Sequence, residues 1–196
     1  MNYRFLLLII FLFVASIGTS QDFSDLDKSP IDAVMARAKD NSSLMRIIYS
    51  RPYKRNRKIF GKLVALDTIW RTGANEATEI RFYKDVLFNG EKVEKGTYTL
   101  FTIPHEKEWT IIINEVKQSW GLTNYSSDQD VLRTKVKSML TAVTVEQFSI
   151  SIRTNNGSFN LLMGWDDRFI QIPILPLEDE NDETSEIIKN KKYEEY

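Results

Sequence analysis

Five side chains are of types that can do chemistry: Arg51, and then Trp70, Arg71, Asn75 and Glu76 in the run Trp70-Arg71-Thr72-Gly73-Ala74-Asn75-Glu76-Ala77-Thr78. Two chemistries fit them. In the first, Glu76 joins Asp67 or Glu79 as an acid-base pair of the glycosidase kind, which depends on a carboxyl separation of roughly 5 to 9.5 Å. In the second, Arg71, Asn75 and Glu76 hydrogen-bond a ligand such as a sugar, while Trp70, Trp120 and Tyr125 supply stacking faces. A structural corner competes with both: Glu76 neutralises Arg71 or Arg51, and Asn75 satisfies turn backbone. The chain has 27 acidic residues, so neighbouring carboxylates arise without any catalytic purpose, and the corner is the preferred reading. Arg51, Arg55, Arg57 and Lys58 form a cationic cluster with the charge to meet a phosphate, a carboxylate or an anionic head group. It equally has the composition of a solvated loop face.

Other chemistries find little support. His105 is the single histidine, which rules out a multi-histidine zinc site. There is no cysteine, so disulfides and thiolate catalysis are excluded, and no serine near His105 stands in a nucleophile-elbow pattern. Gly73-Ala74-Asn75 does not match a phosphate-binding glycine loop. Asp128 and Asp130 cluster oxygens without the glycine and terminal glutamate of a calcium loop, and Asp166-Asp167 is no stronger. No catalytic residue, metal site or cofactor is expected.

The elements that must position these residues read as strands. Thr78-Ile80-Phe82 alternates with Glu79-Arg81-Tyr83, and similar alternation runs through Trp109 to Ile113, Gln147 to Ile152 and Phe159 to Trp165; apolar on one face and mixed on the other is the pattern of an antiparallel sheet covered on one side. Asn89-Gly90 and Asn156-Gly157 suit tight hairpin turns because both residue types tolerate positive φ. Trp109 and Trp165 fall at core-facing positions. Ser29-Pro30 followed by Ala33 to Ala38 predicts a short N-terminal helix. The expected fold is all-β, an antiparallel β-sandwich or open barrel of about nine or ten strands with that helix leading in.

The run Arg57-Lys58-Ile59-Phe60-Gly61, the Trp70 to Thr78 motif, Gly96-Thr97-Tyr98-Thr99-Leu100-Phe101-Thr102-Ile103-Pro104, Trp120-Gly121, Asp130-Val131-Leu132-Arg133 and Trp165 together resemble a family of secreted bacterial proteins common in Bacteroidetes, a domain of unknown function. The resemblance covers roughly Ser29 to Ile174. It implies a fold and an address, not an activity. Some members carry the label of a glutamine-dependent asparagine synthetase, which needs a cysteine nucleophile and a glycine-rich ATP loop; this chain has neither.

Arg4 followed by the apolar stretch Phe5 to Val14 and the small, polar Ala15 to Ser20 reads as a secretory signal over 1–20. Ten apolar residues are too few to cross a hydrocarbon core that needs about 20 in a helix, so no transmembrane segment is expected after cleavage, and the address is periplasmic or extracellular. Residues 21–43 are then a lead-in, 44–177 a β domain and 178–196 a tail. That tail holds eight acidic and three basic side chains, a composition that predicts disorder. The formal net charge of −1, without a basic face, argues against nucleic acid as a partner. Two functions remain: a non-enzymatic envelope-associated binding module, its partner an envelope glycan or protein, and a carboxylate-dependent hydrolase of an envelope polymer acting around Glu76.

Overall fold

The computed structural model describes Tyr3 and residues 23–117, 119–155 and 158–177. Nine strands, β1 (Ile31–Arg37), β2 (Ser43–Ser50), β3 (Thr78–Phe82), β4 (Val86–Phe88), β5 (Glu91–Val93), β6 (Gly96–Pro104), β7 (Glu108–Asn114), β8 (Asp130–Asn155) and β9 (Ser158–Pro176), form one antiparallel sheet. Their order across it is β1-β2-β3-β6-β7-β8-β9-β4-β5. The all-β antiparallel architecture is the one that the alternation of apolar and polar residues dictates. A 3-10 turn, Ser127–Gln129, precedes β8.

Two long strands fold this sheet over on itself. β8 pairs through Asp130–Lys137 with β7 and from Ser138 onward with β9. Its register slips between Leu140 and Val145 and again between Val145 and Ser149, and such bulges bend a strand and increase its twist. The first half of β8 therefore lies in a layer with β1, β2, β3, β6 and β7, and its second half in a layer with β9, β4 and β5. Trp109, Ile111 and Ile113 of β7 bury against Phe148 of β8 and Met163 and Trp165 of β9 in one core. A seam joins the layers on the other side. Beyond β2, Tyr53 bridges to Gln147, the Lys54 N–H donates to the Glu146 carbonyl at 2.7 Å, and the Phe148 N–H donates to the Pro52 carbonyl at 3.0 Å.

The expected N-terminal helix does not form. Ile31–Arg37 is instead the edge strand β1, paired with β2 from Ile31↔Ser50 to Arg37↔Ser43. Helix propensity in seven residues is too weak to offset nucleation. As a strand the segment satisfies its backbone on β2, buries Ala36 in the core and packs Val34 against it, while Pro30 biases Ser29 toward extended backbone. The Asn89-Gly90 turn joins β4 to β5 with φ of 52° and 89° at its two residues. The turn expected at Asn156-Gly157, the expected secretory signal apart from Tyr3, and the acidic tail lie outside the described residues. Among those described, no helix is long and apolar enough to cross a membrane.

Candidate functional site

Residues 70–78 take the place of a strand beside the end of β6. Trp70 and Thr102 exchange backbone hydrogen bonds of 2.7 and 3.0 Å, and the chain then turns so that the Thr78 N–H donates to the Arg71 carbonyl at 3.1 Å as β3 begins. The turn is held from within. The Trp70 Nε1–H donates to the Gly73 carbonyl at 3.0 Å; the Thr72 hydroxyl bonds Thr102 Oγ1 at 3.1 Å; and the Thr78 hydroxyl donates to the Thr72 carbonyl. Thr72 is fully buried at φ 58°, a conformation that a β-branched residue adopts only when its surroundings impose it. Gly73 passes so close to β2 that a Cβ there would stand 3.0 Å from the Ser50 carbonyl oxygen. Asn75, also at positive φ, accepts the Gly121 N–H on its carbonyl, and the Ala77 N–H donates to Ser119. This second pairing fixes the segment Ser119–Gly121 beside the motif.

The motif's side chains diverge. Trp70 is buried, stacked on Trp165 at 6.0 Å between centroids and edge-on to Trp109 and Phe148, so it is a core residue. Glu76 is exposed and lines a groove of about 490 Å³ over the outer face of β2, β3 and β6, together with Ile48, Glu79, Thr97, Lys117 and Trp120. Trp120 is 62% exposed. Arg71 and Asn75 line a different cavity of about 340 Å³. The amide of Asn75 donates to Asp27 at 3.2 Å. Neither Arg71 nor Arg51 pairs with Glu76; the ion pair expected for a corner does not form among the described residues. Of the two possible carboxylate partners, Glu79 shares the groove with Glu76 and is itself bound to Arg46 at 3.1 Å. Asp67 is elsewhere, on His105.

Arg51 works at the seam. Its guanidinium meets Asp32 at 3.0 Å, Ser149 Oγ at 2.9 Å and the Phe148 carbonyl at 3.4 Å, so one fork ties β1 and the end of β2 to the second half of β8. Next to it the buried Tyr49 hydroxyl accepts the Ile150 N–H at 3.0 Å and lies 3.2 Å from Asp32. Burial pushes the Tyr49 phenol above its ordinary range, against the opposing effects of its bond to the Ile150 carbonyl and of the Arg51 charge. Two further members of the cationic cluster, Arg55 and Arg57, are also engaged, as is the neighbouring Lys54. Lys54 lies 3.5 Å from Asp166, Arg55 rests on the Tyr53 ring, and Arg57 donates to the carbonyls of Tyr53 and Lys54.

The remaining candidates divide between structure and surface. Asp130 accepts from Asn114 at 2.7 Å and from Tyr125 at 3.1 Å and pairs with Arg133. Tyr125 packs edge-on against Phe101 at 5.0 Å, closing a small cluster with Ile112 and Val116 on the outer face. It is therefore a wall of that cluster rather than an open stacking face. One constellation escapes the sequence: Asp67 holds His105 Nδ1, and His105 Nε2 lies 3.5 Å from Thr110 Oγ1. Thirty-eight positions separate the acid from the histidine, and only the pairing of β6 with β7 brings Thr110 near. The three do not line any of the cavities described. Among the described residues, no three acidic or histidine side chains gather as metal ligands.

No curated protein and no solved structure matches this chain. A family model described as a protein of unknown function (DUF2911) matches residues 29–174, from the residue before Pro30 to the part of β9 that pairs with β4. The chain belongs to that family.

Proposed function

We propose that this protein is an exported, non-enzymatic binding module of the cell envelope, and that its ligand is a glycan lying in the groove over β2, β3 and β6. The observation that carries this reading is Trp120, an indole left 62% exposed at a groove of about 490 Å³. A volume of that size is within the range of small-ligand sites. An exposed indole offers a flat apolar face of the kind on which a sugar ring stacks. Glu76 and Thr97 line the same groove, residue types that supply acceptors and a donor for sugar hydroxyls. The apolar start of the chain supports export. A glycan array, probed with the mature protein, is expected to return envelope-type oligosaccharides; an array without signal contradicts the proposal.

A hydrolase is the second reading, favoured by one observation: Glu76 and Glu79 line the same groove. Glu79 is held by the Arg46 guanidinium at 3.1 Å, and Glu76 is the exposed carboxylate of the two. Release of reducing ends from an array-positive polysaccharide, lost in Glu76→Gln, is the outcome that would move the protein into this class.

A further inference from the structure

The second cavity, about 340 Å³, shares no lining residue with the groove. Arg57 and Arg71 line it, with Leu63, Val64, Trp70 and Trp165, and no carboxylate does. Arg71 is the informative member. A guanidinium cannot shed its charge, yet Arg71 has no ion-pair partner among the described residues, and its Nε is buried without a hydrogen-bond acceptor. A buried donor left unsatisfied is costly, more so when it is charged. Asp27 adjoins the cavity but is engaged by the Ser29 N–H at 2.6 Å and by Asn75. Arg57 spends Nε and Nη2 on backbone carbonyls and keeps Nη1 uncommitted. The backbone N–H groups of Gly73 and Ala74, on the same lining, donate to nothing among the described residues.

We propose that this cavity binds a small ligand through a carboxylate or phosphate group. Arg71 and Arg57 hold the oxyanion, because guanidinium donors match its geometry and charge. The apolar remainder of the ligand rests on Leu63, Val64 and the Trp70 indole. A water would satisfy the orphaned donor but bring no negative charge to a lining that has two guanidinium groups and no carboxylate, so an anion fits the site better. The 70–77 loop then serves two sites, Arg71 on one cavity and Glu76 on the other.

The test titrates acetate, N-acetylphenylalanine and inorganic phosphate into the mature protein while the Arg71 Nε–Hε resonance is followed by proton–nitrogen NMR. At least one probe is expected to shift that resonance saturably with a dissociation constant of about 1 mM or tighter, and N-acetylphenylalanine should bind tighter than acetate. The two carboxylates against phosphate distinguish the two oxyanion sources. Arg71→Lys and Arg57→Ala should each weaken binding about ten-fold, the effect of losing a charge-assisted hydrogen bond. Arg57 is exposed, so its variant still reads out if Arg71→Lys does not fold. No saturable shift with any of the three probes, or full affinity in Arg57→Ala, overturns the proposal; equal binding of acetate and N-acetylphenylalanine overturns the apolar part of it.

Discussion

Tyr49 is the residue at which stability and pH meet. Its hydroxyl is the acceptor for the Ile150 N–H at the seam, so Tyr49→Phe strands a buried donor and should cost about 1 to 3 kcal/mol at neutral pH. Burial holds its folded pKa above the ordinary value of 10.0. Above that value the unfolded chain has lost the phenolic proton while the folded chain retains it, so the unfolded state binds fewer protons and stability falls as pH rises. The stabilisation is fully present below pH 10 and declines above it. Tyr98 and Tyr125 shift in the same direction, each chiefly through burial, so Tyr49→Phe should flatten the alkaline decline without abolishing it. Urea unfolding of parent and variant across the alkaline range checks this; an unchanged slope would contradict the role given to the phenol.

Among the elements, the loop 70–78 shows what sequence can and cannot say. Its residue types offer a site or a corner, and the chain takes positive φ at Thr72 and Asn75. They do not announce which side chains would share a cavity. Glu76 and Arg71 sit five positions apart and face different spaces, because the register of Trp70 against Thr102 and of Ala77 against Ser119 fixes the turn between them. The tight approach of Gly73 to Ser50 predicts that Gly73→Ala costs about 1 to 3 kcal/mol, the usual effect of overpacking a closed site. Glu76→Gln, on an exposed and unpaired carboxylate, should stay within about 0.5 kcal/mol. Thermal unfolding of the two variants separates them, and the reverse order would mean that Glu76 is the structural member. The strands were legible because period-two alternation survives tertiary folding in segments such as Trp109–Ile113. β1 was not, since Pro30 and three alanines mimic a helix start, and the hydrogen bonds that decide the matter come from β2, in a register that no local pattern encodes.

For the whole molecule, two bent strands, β8 and β9, turn one sheet into two layers, and the Arg51 seam binds the layers on the side where the sheet does not close. That leaves the outer face of β2, β3 and β6 uncovered next to the cluster of Phe101, Ile112 and Val116, and the groove lies there. The sequence placed Trp120 among three stacking candidates; only the fold distinguishes it from Trp70, which is core, and Tyr125, which is a wall. The central claim is that Trp120 is the ligand platform of a binding module, and the most direct measurement is a calorimetric titration of an array-positive oligosaccharide into parent and Trp120→Ala, with ligand cleavage followed in the same cell. The account predicts at least about ten-fold weaker binding in the variant, as for truncation of a central aromatic anchor, with its melting temperature unchanged and the oligosaccharide recovered intact. Equal affinity in the two proteins, or cleavage of the oligosaccharide by the parent, would contradict it.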